Sequence, residues 1–302
     1  MAPEPQRIEF EPAEGVTLVG DAWGPPSGPE VLLLGGAGQT RQAWDGTGEL
    51  LGNAGFRAKA FDHRGHGEST WVGAGGYEME RFVADTAALT QSCTKPPAIV
   101  GASLGGLAAL IGIGLYGTVA ASALVLVDIA PRIEMRGAQR VLGFMAAYPN
   151  GFASLEEASL AIARYLDREQ APTTDGLRRV LRPVDDRWLW HWDPFVLQGI
   201  GRLLDGDEET VAGRAAVVAD LLTEAARDLH LPTLLVRGGL SDVVSPEGAQ
   251  EFLEAAPHAA YVDVTDAGHM VAGDRNDIFS EVIITFLQQH LDPSNPEAPS
   301  ER

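Results

Sequence analysis

The chain has 302 residues, 45% hydrophobic and 21% charged, a globular composition that excludes the disordered class and suffices for one large α/β core. Its 42 acidic side chains outnumber 22 basic ones and give a net charge of −20, so nucleic acid and anionic lipid are repelled and neither is an expected partner. Cys93 is the only cysteine, which excludes a disulfide framework and a cysteine metal cluster.

The opening "MAPEPQRIEFEPAEG" lacks the basic flank and apolar run of a signal peptide, so a cytoplasmic address is expected. Two strands follow, Arg7–Phe10 and Val16–Trp23, joined by a Gly-containing turn. "EVLLL" is a third strand and runs directly into "GGAGQT". A helix over Trp44–Ala54 leads to the strand "FRAKAFD", then the loop "HRGHGEST" and a helix from Tyr77 to Cys93.

Residues 97–127, "PAIVGASLGGLAALIGIGLYGTVAASALVLV", carry no charged side chain and are long enough to span a bilayer. Six glycines make one continuous helix costly there, at about 1 kcal/mol each against alanine. The branched runs Ala98–Val100 and Leu124–Val127 read instead as buried strands on either side of a buried helix. No membrane partner is expected.

Residues 132–231 interrupt the alternation with helical periodicity and no convincing strand. An insertion of that size is expected to fold as a helical cap over a core formed by residues 1–131 and 232–290. The insertion holds 12 arginines and 16 acids, a net of −4, which leaves −16 for the rest of the chain. From Pro232 the alternation resumes with "PTLLVRGG", a helix over Pro246–Ala255, the strand "AAYVDVT" and a helix over Asp274–His290. The Pro/Ser/Glu-rich tail 291–302 is expected to be frayed. Alternating strands and helices imply an α/β fold, a mostly parallel sheet covered on both faces.

"GASLG", residues 101–105, is a G-x-S-x-G pattern set between a buried strand and a buried helix. A sharp strand-to-helix turn has no room for side chains at Gly101 and Gly105 and lifts Ser103 clear of the backbone. The helix that starts there aims its N–H groups at a developing oxyanion. A serine hydroxyl needs a base. Of seven histidines, His269 in "DVTDAGHMVAGD" follows the C-terminal end of a strand, the sheet edge where α/β sites form. His191 and His230 lie in the insertion, His258 sits at the opposite sheet end, His290 ends an amphipathic helix, and His63 and His66 suit structural hydrogen bonding in their loop. The base in turn needs a carboxylate to orient it. Asp242 in "GGLSD" is the favoured one; Asp128, directly after "ALVLV", is the alternative acid and equally suits a turn cap.

With serine, aspartate and histidine in that order, the chain resembles the α/β-hydrolase fold superfamily, in its capped serine esterase and hydrolase branch. The resemblance rests on "LLLGGAGQTRQAWD", "FDHRGHGEST", "GASLGG", "GGLSD" and "DAGHMVAGDRND" in the expected order. It implies an eight-stranded sheet with an inserted cap, and an oxyanion hole made by the backbone N–H groups of Ala37 and Leu104. Relatives commonly carry His-Gly after the third strand; this chain has Gly35-Gly36, which puts the rigidity of the oxyanion loop in question.

The expected activity is cofactor-independent, metal-free hydrolysis of a carboxylic ester with apolar substituents through a Ser103-His269-Asp242 triad and an acyl-enzyme. The same constellation resembles hydrolases of carbon–carbon bonds, lactonases, thioesterases and perhydrolases, and some relatives are non-catalytic ligand receptors. Serine at the elbow argues against epoxide hydrolases and haloalkane dehalogenases, which use aspartate there. A dinucleotide loop in "GGAGQTR" is disfavoured, because Arg41 replaces the third glycine of the fingerprint.

For substrate binding, Gln39 and Trp44 flank the oxyanion loop and are candidates for the entrance. Trp188, Trp190 and Trp192, spaced by two in "WLWHWDP", would share one side of an extended segment, either as the cap's own core or as an aromatic wall over the serine. Arg41 is expected to be solvated.

Overall fold

Branched and aliphatic residues with period two build a sheet that is buried on both faces. The computed structural model describes residues 4–165, 174–201, 206–265, 267–268 and 276–291. Its main sheet has eight strands in the order β1-β2-β4-β3-β5-β6-β9-β10. These are β1 (Gln6–Ala13), β2 (Val16–Trp23), β3 (Glu30–Leu34), β4 (Arg57–Phe61), β5 (Ala98–Ala102), β6 (Ala123–Val127), β9 (Thr233–Gly238) and β10 (Ala260–Val264). Only the β1–β2 and β2–β4 pairings are antiparallel; from β4 to β10 every neighbour runs parallel.

Alternate residues of the central strands enter two separate cores. Leu32, Leu34, Ile99, Leu124, Leu126 and Leu235 face one side, under α2 (Met79–Gln91), α3 (Leu104–Leu110), α8 (Glu208–Arg227) and α9 (Pro246–Ala255). Val31, Leu33, Val100, Val125, Val127 and Val236 face the other, under α1 (Asp45–Asn53) and α10 (Ser280–His290). The stretch 97–127 therefore divides into β5, α3, a wider helical turn over Ile111–Leu115, and β6. No helix of the described residues is long and apolar enough to cross a membrane.

Between β6 and β9 lie α4 (Met135–Ala146), α5 (Leu155–Tyr165), α6 (Thr174–Leu177), α7 (Phe195–Gly201) and α8. Two features depart from a purely helical insertion. First, β7 (Leu181–Val184) and β8 (Arg187–Trp190) form an antiparallel ribbon, closed by a two-residue turn in which Asp185 takes φ 51°. The alternation W-L-W carries strand periodicity inside a segment otherwise helical in pattern. Second, α8 buries Leu222, Ala225 and Ala226 in the sheet core beside Ile99 and Phe252, so it joins the layer that covers the sheet. The ribbon, α4 and α5 hold a separate aromatic core of Phe144, Phe152, Trp190 and Trp192.

Candidate active site

Ser103 sits between β5 and α3 at φ 44° and ψ −112°, a conformation that few side chains adopt. The flanking glycines follow from close approach. A Cβ on Gly101 would lie 2.5 Å from the Gly106 nitrogen, and one on Gly105 would lie 2.6 Å from the Leu34 carbonyl oxygen. Both positions exclude any side chain, so the turn is tight enough to hold Ser103 in its strained backbone. The serine is half-buried, and Leu104 behind it opens α3, where the first amides have no acceptor within the helix.

The loop after β3 faces this elbow. A Cβ on Gly36 would lie 3.3 Å from the Ser103 Cβ, and Gly105 N–H donates to the Gly35 carbonyl at 3.1 Å. Gly36 N–H donates to Gln39 Oε1 at 2.8 Å, and Gln39 N–H returns to the Gly36 carbonyl at 3.1 Å. Gly38 N–H donates to His66 Nε2 at 2.9 Å, and His63 Nε2 contacts the Gly35 carbonyl at 2.9 Å. Among the described residues, Ala37 N–H donates to no protein group. Gln39 is buried and spends its side-chain oxygen on the loop.

Further along, Arg41 is buried rather than solvated. Its backbone N–H and Nη1 donate to Asp62 at 2.6 and 2.7 Å, Nε to Asp21 at 2.7 Å and Nη2 to Glu68 at 3.0 Å. Three carboxylates offset the cost of burying one guanidinium and pin the end of the loop. Trp44 is fully buried among Trp23, Leu51 and Phe56. It belongs to the core, not to an entrance, because the turn over Arg41–Trp44 points its ring down onto the sheet's α1 face.

The two candidate carboxylates lie on neighbouring loops and differ in environment. Asp128, directly after β6, is buried at φ 51°; Oδ1 accepts Gly238 N–H at 2.9 Å and Oδ2 accepts the Ser241 hydroxyl at 2.7 Å. Ser241 Oγ also accepts the Val243 and Val244 amides, so Asp128 fixes the form of the loop after β9. Asp242 on that loop is forked by Arg140 of α4, Nε to Oδ2 at 2.5 Å and Nη2 to Oδ1 at 2.8 Å. His269 lies outside the described residues. Ala267, two positions earlier, accepts Leu240 N–H at 2.8 Å beside the end of β9.

The inserted ribbon reaches the same loop. Trp190 and Trp192 stack with centroids 4.5 Å apart, and Phe144 and Phe152 meet Trp190 edge-on at 5.8 and 5.2 Å. From the Cβ direction of Gly38, the Trp192 ring is 3.3 Å away and the Met145 methyl 2.8 Å. Trp188 is only half-buried and lies under the Arg178 guanidinium at 5.0 Å. Trp190 and Trp192 thus serve as the insertion's core, and Trp192 also roofs the loop beside Ser103.

Sequence reasoning passed over Arg140; it gave His63 and His66 the structural hydrogen-bonding role that they have, without identifying what they hold. "HRGHG" offered a signal for the two histidines, but its partners lie 28 positions away.

A model of the alpha/beta hydrolase family matches residues 31–282. A 3-hydroxybutyrate-oligomer hydrolase of Cupriavidus necator is 26% identical, over 82% of this chain and 85% of that protein. An esterase of Mycobacterium tuberculosis is 28% identical, over 91% of this chain and 88% of that protein. The crystal structure of E-2-(acetamidomethylene)succinate hydrolase superposes with a TM-score of 0.76 at 23% identity, covering 95% of this chain and 99% of that one, which shows a shared fold. Esterases and hydrolases recur among these relatives, and hydrolase is the activity class they support.

Proposed function

Because this chain belongs to the alpha/beta hydrolase family, we propose that it is a serine hydrolase that cleaves small carboxylic esters with apolar substituents. The observation that carries this reading is the strained Ser103 at the β5–α3 turn, faced by a loop whose Ala37 N–H meets no acceptor among the described residues. Strain held in place by close-packed glycines suits a group that must be presented in one orientation.

In this mechanism, Ser103 Oγ attacks the ester carbonyl carbon while His269 takes the hydroxyl proton. Asp242 orients the imidazole and stabilises its charged form. The carbonyl oxygen becomes an oxyanion that accepts hydrogen bonds from Ala37 and Leu104 N–H, aided by the N-terminal end of α3. Collapse of the tetrahedral intermediate expels the alcohol, which takes the proton back from His269, and leaves an acyl-enzyme on Ser103. Water, deprotonated by His269, then releases the acid. None of these steps calls for a cofactor or a metal.

The inserted segment acts as the cap. Trp192 and Met145 over Gly38 supply the apolar contact for the substituents, which favours an ester with apolar groups over a highly charged substrate. A relative named for hydrolysis of 3-hydroxybutyrate oligomers, themselves carboxylic esters, agrees with this substrate class.

The test is covalent labelling by a fluorophosphonate, with the adduct mapped by mass spectrometry. Wild type is expected to label at Ser103, and Ser103→Ala to lose both labelling and ester turnover, the latter by about 10³-fold or more. Full turnover in folded Ser103→Ala rules the mechanism out, and an unlabelled, inactive wild type fits a passive ligand receptor instead.

A further inference from the structure

The loop that faces Ser103 is held by a histidine whose chemistry is fixed from both sides. His66 is fully buried. Its Nε2 lies 2.9 Å from Gly38 N–H, a group that can only donate, and its Nδ1 lies 3.0 Å from the Arg64 carbonyl, a group that can only accept. The two contacts together require the neutral ring with its proton on Nδ1. An imidazolium, or the other tautomer, would set one N–H against another in a dry site.

What this bond does follows from the peptide planes. Gly36 N–H on Gln39 Oε1 fixes the plane before Gly36. The Gly36 carbonyl, taking Gln39 N–H, fixes one end of the plane that carries Ala37 N–H. Gly38 N–H on His66 fixes the next plane, on the far side of Ala37. With both neighbours immobilised, the Ala37 amide has one orientation left. Gly38 itself stands at φ 80°, a conformation from which an unanchored glycine relaxes readily.

The same residue also joins the loop to the inserted segment. His66 bridges to Trp192 in antiparallel fashion, Gly67 N–H donates to the His191 carbonyl at 2.7 Å, and Asp193 N–H donates to the Gly65 carbonyl at 2.7 Å. Trp192 then lies over Gly38. His66 is thus held from above by the segment that roofs the site and in turn holds the oxyanion loop below.

We propose that His66 is a positioning residue: as a neutral, Nδ1-protonated acceptor it holds Gly38 N–H and so aims Ala37 N–H at the developing oxyanion. It supplies from the loop after β4 the rigidity that the Gly35-Gly36 sequence lacks. This rests on the serine-hydrolase reading above, because the oxyanion is a product of serine attack.

Two substitutions separate positioning from packing. His66→Leu fills part of the space with no acceptor, whereas His66→Gln can present an amide oxygen near the Nε2 position. For His66→Leu, kcat on an ester is expected to fall about 10- to 100-fold with KM nearly unchanged, the size of loss that misplacement by about 1 Å brings. Affinity for a boronic acid that mimics the tetrahedral intermediate should fall in parallel, while affinity for the product carboxylate stays. His66→Gln should recover most of the kcat. Equal losses in both variants, or a rise in KM at constant kcat, overturn the positioning role. Should His66→Leu fail to fold, nitrogen NMR of the wild-type ring still decides: a pyridine-type Nε2 and a protonated Nδ1 are expected at neutral pH, and an Nε2–H tautomer overturns the proposal. Ser103→Ala, assayed alongside, keeps the two ideas apart. If it retains turnover the serine mechanism fails, and if it is inactive while His66→Leu is normal, only the His66 role fails.

Discussion

Arg140 of the inserted segment grips Asp242 of the core as a forked pair, with both side chains about two-fifths exposed, at 42% and 40%. The hydrogen bond to Asp242 holds the guanidinium pKa above its ordinary value, against a smaller opposing effect of burial. The same guanidinium stands 4.6 Å from the Tyr165 ring, so one side chain links a loop of the sheet to the aromatic core above it. Solvent screening at this exposure limits the pair's stability contribution to under about 1 kcal/mol.

A larger consequence is expected for catalysis under the proposed mechanism. If Asp242 is the orienting carboxylate, Arg140 competes with the imidazolium for its charge. Arg140→Gln is therefore expected to stabilise the imidazolium and move the acid limb of the kcat/KM profile to higher pH, with a small loss in melting temperature. A limb that stays in place means that Asp242 does not face the base.

Asp242→Asn and Asp128→Asn are expected to fail differently. Loss of the Asp242 charge should depress kcat/KM by orders of magnitude while the fold persists. Asp128 is buried and accepts from Gly238 N–H and the Ser241 hydroxyl. Its amide variant leaves those donors poorly matched, a stability cost of about 1–3 kcal/mol. Steady-state kinetics beside thermal melts distinguish them, and an inactive but stable Asp128→Asn exchanges the two roles.

Among the tryptophans, what each ring touches sets the expected outcome. Trp192→Ala removes the ring over Gly38 and is expected to lower kcat/KM for a long apolar ester more than for an acetate. Trp190→Ala opens the centre of the insertion's core and should cost about 3–5 kcal/mol of stability. Trp188→Ala, on a half-buried ring, should change both least. The ratio of long- to short-ester kcat/KM in each variant is the measurement, and a ratio unmoved in Trp192→Ala removes that ring from the substrate wall.

Acid should unfold the protein through its buried histidines. Burial, then the nearby His63, pushes the His66 pKa down to about 3 from an ordinary 6.5, and burial lowers that of His63 as well. Between those values the unfolded chain binds a proton that folded His66 refuses. Stability therefore falls as pH drops below about 6.5, by up to about 1.4 kcal/mol per pH unit for each such proton. Urea midpoints from pH 7 to pH 4 should show this slope, and His66→Gln should flatten it; an equal slope in the variant places the titration elsewhere.

The alternation of strands and helices, the buried run at 97–127 and the serine elbow were legible in the sequence because each depends on near neighbours. Period-two burial declares a strand within five residues, and Gly101 is required by contacts that the turn itself creates, whereas Gly105 is required by Leu34 of the neighbouring strand. The spacing of Trp188 and Trp190 carried a hint of the extended strand Arg187–Trp190, although no strand was expected in that segment. The strand's pairing with Leu181–Val184 did not stand out, because Pro183 and a helical surround obscure the partner strand.

Tertiary structure decided everything that depends on distant partners. Arg41 reads as a surface arginine until Asp21, Asp62 and Glu68 converge on it. Trp44 reads as an entrance residue until its turn rolls it into the core. Asp128 and Asp242 both follow strands and are alike in sequence; burial under two donors and exposure beneath Arg140 set them apart. The sharpest case is the loop after β3. Its own residues lack the stiffening histidine, and the rigidity comes from His63 and His66, which only parallel pairing of β3 with β4 brings alongside. Local sequence dictates backbone shape because sterics act over a few residues, whereas the tautomer of a buried ring and the partner of a buried charge are set by whatever the fold packs against them.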